Sequence, residues 1–261
     1  MAAVRELQRQ KSAKNNPKQY QNQESWQIST WAHRACFAGG CATVLISLLK
    51  SLLLTAVGSR PWLEPMIAAL IGYVAADLAT GIYHWAIDNY GGAETPVFGS
   101  QIEAFLSHHQ HPSAITRRQL ANNLYIPSAA VTVVFTPLNV VSADPALLGF
   151  AGVFAGCIMF SQQFHAWAHT PKGKLPPLVV AIQDAGIIVG RAQHAAHHRS
   201  PYNSNYCIVS GVWNRFLDRS KFFVAAEVAV FRVVGVRPRS WSEPNSDRKL
   251  QEAAHQLSGR D

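Results

Sequence analysis

The sequence predicts an all-α membrane protein of about four transmembrane helices, with a histidine-rich site at one membrane face and an interfacial C-terminal helix. Three observations predict it. Hydrophobic residues make up 48% of the 261 residues and charged residues only 15%, against about 25% charged in soluble proteins. The shortage of charge is local, so four apolar runs stand out, each close to the length of about 20 residues that a helix needs to cross a bilayer. Eight of the 11 histidines fall in motif-like groups.

Residues 1–34 are polar and basic, with Arg5, Arg9, Lys11, Lys14 and Lys18 against Glu6 and Glu24. Rich in Gln and Asn and poor in aliphatics, they predict a disordered segment. They have the basic, acid-poor half of a targeting-peptide signature but few serines, and read as the remnant of one. Ala35 to Gly58 is the first apolar run, broken only by Lys50, and Arg60-Pro61-Trp62 is a turn with an interfacial Trp. Leu63 to Tyr83 is the second run and delivers His84 at its end. Residues 88–123 are polar, with Gly91, Gly92, Pro96 and Pro112 as breakers. Leu124 to Val141 and Ala146 to Phe164 are the third and fourth runs, joined by a turn through Asp144 and Pro145. The run from Leu178 is only 13 residues and contains Gln183 and Asp184, too short for a span and suited to an interfacial segment. Residues 221–236 predict a helix lying on the membrane surface, and 245–261 a polar tail. Residues 35–244 therefore form one membrane domain between two polar ends.

The even number of spans has a consequence. With the N-terminus on one side, spans two and four both end on that side, and the 88–123 loop lies there too. The histidines at 84, 108, 109, 165, 169, 194, 197 and 198 then all meet at one membrane face, a convergence that did not enter the assignment of the spans. Of 23 Lys and Arg, only Lys50 and Arg60 are not placed on that side, which by the positive-inside rule is cytosol or an equivalent such as the plastid stroma. The net charge of +8 flanks apolar runs, so it points to an anionic lipid surface and not to nucleic acid.

His194, His197 and His198 stand at i, i+3 and i+4, and His165 and His169 at i and i+4, so each set shares a helical face. Asp77, His84 and Asp88 also share one. Any single histidine here reads as an interfacial polar residue. Eight at ligand spacings read as a metal site, with Asp77 and Asp88 as further ligands or as acceptors for imidazole N–H groups. An acidic group two turns inside a span, as Asp77 is, is a functional candidate by default. His33, His111 and His255 fit the spacings less well, and His111 is expected to be solvent-exposed. Cys36, Cys41, Cys157 and Cys207 form no C-x-x-C and no regular spacing, so a zinc ribbon or disulfide scaffold is not predicted.

Eight nitrogens exceed one ion's needs, so two ions with shared carboxylate or water ligands fit better. Without sulfur, the set suits Fe, Zn, Cu or Ni. A metal pair at a bilayer surface meets acyl chains, and opening an unactivated C–H bond there requires an oxidant made from O₂, which two irons can supply. Read from the residues alone, the site is a membrane dimetal centre with an oxygen-activating option. A non-catalytic metal-binding membrane protein stands as the alternative, although most of the spans show no ionisable path.

The motifs Asp77-x6-His84-x3-Asp88, His108-His109, Phe164-His165-Ala-Trp-Ala-His169 and Gln193-His194-x2-His197-His198, followed by Pro201-Tyr-Asn-Ser-Asn-Tyr-Cys-Ile-Val-Ser-Gly-Val-Trp-Asn214, resemble the lipid desaturase family that includes plasmanylethanolamine desaturase. Tyr83 to Gly92, Met159 to His169, Leu175 to Val180 and Gly235 to Pro244 are closer to the plant plastid branch of that family. The resemblance implies an acyl-lipid desaturase with a non-haem di-iron centre on the eight histidines and O₂ as co-substrate. For the plastid branch it implies a trans double bond at carbon 3 of palmitate on phosphatidylglycerol, an electron donor such as ferredoxin, and a chloroplast membrane with the site facing the stroma. A membrane hydroxylase on the same metal pair is the neighbouring chemistry. Arg117, Arg118, Arg191 and Arg199 lie beside the histidine motifs and are candidates for holding an anionic headgroup.

Overall fold

The computed structural model describes residues 27–58 and 61–242. The expectations for residues 1–26, for the 245–261 tail and for His255 lie outside them. Four helices are long and apolar enough to cross a membrane: α1 (Trp31–Val57), α2 (Leu63–Asn89), α4 (Leu120–Val141) and α5 (Pro145–His169). Between α2 and α4 comes α3 (Gly99–Gln110), followed by a 3-10 turn at Pro112–Arg117. After α5 come four short helices, α6 (Pro177–Asp184), α7 (Arg191–His197), α8 (Asn214–Arg219) and α9 (Phe222–Val234), and a last 3-10 turn at Arg239–Ser242. No strand occurs among the described residues. The chain is an integral membrane protein.

The starts of the helices follow from local chemistry. Thr30 caps α1: its hydroxyl accepts from the His33 N–H while the Thr30 N–H donates to His33 Nδ1, a reciprocal capping box. Residues 31–34 are therefore the first turn of α1 and not part of a disordered segment. His33, which fits the ligand spacings less well, also stacks on Tyr125 with ring centroids 4.3 Å apart. Asp144 caps α5 by accepting from the Leu147 N–H at 2.9 Å, with Pro145 at the first helical position.

In the bundle α2 packs along α5, and α1 along α4 and α5. The α1 face that meets α4 and α5 is polar and small: Thr43, Ser47, Ser51 and Thr55 are all buried, and Ser51 donates to the Pro145 carbonyl of α5. Asn139 of α4 accepts from the Ser47 hydroxyl at 2.6 Å and donates to the Thr43 carbonyl at 2.9 Å. Such pairs satisfy polar groups that lipid cannot. Lys50, the one charge in the first apolar run, donates to the carbonyls of Asn139 and Ser142. It thereby closes the C-terminal end of α4, where carbonyls lack helical partners.

Three helices run past the apolar stretches that announce them. α2 continues from Tyr83 to Asn89, α5 from Phe164 to His169, and α4 starts at Leu120. The added turns are polar and carry His84, Asp88, His165 and His169, which makes them rigid extensions and not loop residues. α6 has eight residues, about 12 Å of helix, and does not cross a membrane. α9 is the helix expected within 221–236. It docks through Phe223 and Glu227, both buried, and leaves Val233 and Val234 exposed.

Candidate metal centre

Four elements from one end of the bundle supply the site: the last turns of α2 and α5, the end of α3, and α7. Their side chains form two adjacent groups. His108, His165, His169, His194 and His198 make the first, and His84, Asp88, His109 and His197 the second. Within each group the ligand atoms lie within 4.8 Å of one another. All eight histidines singled out in the sequence are thus together, with Asp88. Neighbours along the chain go to different groups, His108 to one and His109 to the other, and likewise His198 and His197. Thus α3 and α7 hold the two groups side by side.

In the five-histidine group the Nε2 atoms converge. The His108–His169 and His194–His169 pairs are 2.9 Å apart, His198–His194 3.1 Å and His165–His169 3.2 Å. A neutral imidazole has one N–H and one lone pair, so a closed cage of five such atoms cannot be satisfied by hydrogen bonds among themselves. Two nitrogens each about 2.1 Å from one ion, at right angles, stand about 3.0 Å apart. The cage has the spacing of a ligand shell. In the second group Asp88 Oδ2 faces three Nε2 atoms, those of His197 at 3.3 Å, His84 at 3.4 Å and His109 at 3.5 Å. Both Asp88 oxygens and His84 Nε2 are buried without a hydrogen-bond partner. Buried polar atoms are ordinarily satisfied, and a cation between them would satisfy all three. The donors are nitrogen and carboxylate oxygen without sulfur, a set that fits first-row metals including iron.

Protonation and tautomer agree. Burial pushes the pKa of His108 and His194 far below the ordinary imidazole range, and lowers His109 to about 4. These rings are neutral near pH 7 and present lone pairs. In the second group the far side of two rings is fixed by backbone carbonyls: His84 Nδ1 lies 2.9 Å from the Tyr206 carbonyl, and His197 Nδ1 2.8 Å from that of Ser204. A carbonyl can only accept, so the proton sits on Nδ1 and Nε2 points its lone pair inward. Tyr202 stacks on His109 at 4.8 Å.

The 202–213 loop that supplies these carbonyls is anchored by Asp77. Its Oδ1 accepts the N–H groups of Val209, Ser210 and Gly211 at 2.8 to 3.1 Å, and its Oδ2 faces the Trp213 N–H at 3.3 Å. Asp77 belongs to neither ligand group and meets no imidazole. Its expected place as a ligand or imidazole acceptor is corrected: backbone amides absorb its charge. Gly81, one turn before His84, lets the loop approach, since a Cβ there would overlap the Cys207 sulfur. Arg239 lies in the 235–244 stretch that carries the family resemblance, but is not among the candidate site residues of the sequence. Its guanidinium donates to the carbonyls of Ile87, Asp88, Tyr90 and Gly91, closing the end of α2 directly behind Asp88.

The four candidate arginines separate. Arg117 and Arg118 line a cavity that reaches His108 and His165. Arg191 is exposed and reaches the His169 carbonyl, and Arg199 is exposed just past α7. His111 is exposed, as expected, and lies on the cavity rim.

Fold and site together define an integral membrane protein with two adjacent, buried, metal-capable histidine groups at one end of its spans. The chain belongs to the lipid desaturase family, whose lipid desaturase domain matches residues 73–241, and is an oxidoreductase of the desaturase type. It is 58% identical to Arabidopsis thaliana fatty acid desaturase 4, chloroplastic, over 84% of this chain and 67% of that one. It is 53% identical to fatty acid desaturase 4-like 1, chloroplastic, of the same plant, over 89% and 78% of the two chains. The plasmanylethanolamine desaturase of Myxococcus xanthus is 34% identical over 66% and 62%. No solved structure matches.

Proposed function

We propose that this chain uses two non-haem irons and O₂ to introduce a trans double bond at carbon 3 of palmitate in phosphatidylglycerol. It works in a chloroplast membrane with the site facing the stroma, and a small electron donor such as ferredoxin supplies the reducing equivalents. The observation that carries this reading is the pair of adjacent ligand groups at the polar ends of the spans, in a chain of the lipid desaturase family. His108, His165, His169, His194 and His198 would hold one iron, and His84, Asp88, His109 and His197 the other. A bound iron pair supplies the oxidising power to remove two hydrogens from adjacent methylenes, with O₂ taken to water by those hydrogens, two electrons and two protons.

The chain's own residues set where this happens. All nine side chains sit in the last polar turns of α2 and α5, in α3 or at α7. The reacting carbons are therefore those near the glycerol and not those at the bilayer centre. The Tyr206 and Ser204 carbonyls hold His84 and His197 with Nε2 inward. Burial keeps the imidazoles neutral, and Phe105, in edge contact with His84 at 5.2 Å, helps exclude water. Arg191 and Arg199, exposed at the two ends of α7, hold that face against anionic lipid.

Lipid profiling of cells that make phosphatidylglycerol, expressing the chain or its His197→Ala variant, tests the proposal. The expected result is a trans-3 acyl group on phosphatidylglycerol with the first and none with the second. A hydroxylated product, a mid-chain double bond, or equal modification of neutral glycolipids would contradict it.

A further inference from the structure

The cavity beside the five-histidine group measures about 650 Å³, within the range of about 300–1,000 Å³ typical of small-molecule sites. Its walls differ in chemistry. His108 and His165 line one side, and no member of the Asp88 group lines it. Arg117 and Arg118, at the end of the 3-10 turn, line another. Ile126 and Pro127, from the first turns of the membrane-crossing α4, line a third, and Ile126 is exposed. The cavity thus runs from a lipid-facing helix to a cationic rim, past one of the two ligand groups. Gln101 also lines the cavity, and its Oε1 accepts from the Tyr83 hydroxyl. The N–H₂ end of its amide is then the donor, suited to an ester carbonyl.

We propose that this cavity receives an anionic glycerophospholipid, its phosphate at Arg117 and Arg118, an ester carbonyl at Gln101, and its first acyl carbons against His108 and His165. The assignment rests on the desaturase reading and adds the substrate's seat and direction. It makes the five-histidine group the side of the centre that the acyl chain meets. Guanidinium binds phosphate through a planar fork. Arg118 is half-buried and Arg117 exposed, so the two guanidinium groups stand at the inner and outer parts of this rim. A choline headgroup would bring its own cation to two arginines, so the cavity discriminates against zwitterionic lipid.

The test uses the full chain, purified in detergent, with binding of phosphatidylglycerol and phosphatidylcholine measured by native mass spectrometry alongside metal content and lipid profiling in cells. The wild type is expected to prefer phosphatidylglycerol at least tenfold. Arg117→Gln/Arg118→Gln should lose that preference with unchanged metal content, while Arg219→Gln, an exposed charge away from the cavity, should keep it. Ala104→Phe adds bulk at an exposed small residue of the cavity wall and should lower both lipid binding and product at least tenfold. Unchanged preference in the double arginine variant, or unchanged binding with Ala104→Phe, overturns the assignment. So does inorganic phosphate competing as well as the lipid, which would give the arginines to a free anion. A wild-type chain that binds phosphatidylglycerol in this way and desaturates nothing refutes the desaturase reading and leaves the cavity assignment standing.

Discussion

At the scale of single residues, a ligand and a bystander differ in what their removal does. His109→Ala and His197→Ala each take one of four donors from the Asp88 group, so desaturation should fall by at least a hundredfold and metal content should drop, as measured by lipid profiling and elemental analysis. His33→Ala should cost about 1 kcal/mol through the lost capping box and leave the metal content unchanged. Asp77→Ala leaves three buried N–H groups of the 209–211 loop without acceptors, which at about 1–3 kcal/mol each should lower stability by at least about 3 kcal/mol in thermal unfolding. Helical spacing makes five of the histidines legible, at 165 and 169 and at 194, 197 and 198, while His84 and the adjacent His108 and His109 are legible through their place at the ends of apolar runs and in the polar stretch on the same side. Asp77 is legible as special but not as to its partner: a buried carboxylate needs compensation, and the sequence does not say whether a metal, an imidazole or backbone amides provide it. The tautomer-fixing partners of His84 and His197 are main-chain carbonyls, which carry no side-chain signal at all.

Acid sensitivity also belongs to residues. Burial lowers His109 to about 4 from an ordinary 6.5, with Asp88 opposing that shift and His197 and Arg239 adding to it. A group with a depressed folded-state pKa contributes stability that is complete above the unfolded value and is lost as pH falls through the folded one. The metal-free protein should therefore show a thermal midpoint that declines between about pH 6.5 and about pH 4. A midpoint that rises on acidification in that window would contradict the neutral-imidazole account.

At the scale of elements, the helices exceed their apolar runs because membrane composition and helix length are different constraints. Hydropathy marks the lipid-crossing part, whereas the polar last turns of α2 and α5 are held by packing and by partners such as Arg239. The apolar runs therefore locate all four spans and put His84 and His165 just beyond their ends, where the structure has them still helical. The 88–123 stretch reads as a polar loop and hides α3, whose apolar residues Ile102 and Phe105 are buried in a segment otherwise polar. Arg239→Gln removes the guanidinium that holds the last carbonyls of α2. The expected outcome is a loss of metal concentrated in the Asp88 group, so that stoichiometry falls toward one ion per chain, with Arg239→Lys intermediate. Full metal content in Arg239→Gln would show that the end of α2 holds itself.

At the scale of the whole molecule, four spans return every ligand to one face, and this is what makes the site legible from the order of apolar runs and histidines along the chain. A cysteine introduced at Ser142, between α4 and α5, should label from the side opposite one introduced at Ser107 in α3; same-side labelling would break the arrangement. The cavity is not legible in that way, since Arg117 and Gln101 are brought to His165 by the fold alone. The central claim is that two groups of side chains hold two irons, and elemental analysis of the purified, active protein tests it most directly. Two irons per chain, lost together with activity on chelation and restored together by iron, is the expected result. Stoichiometric zinc, or desaturation that survives removal of all iron, would contradict it.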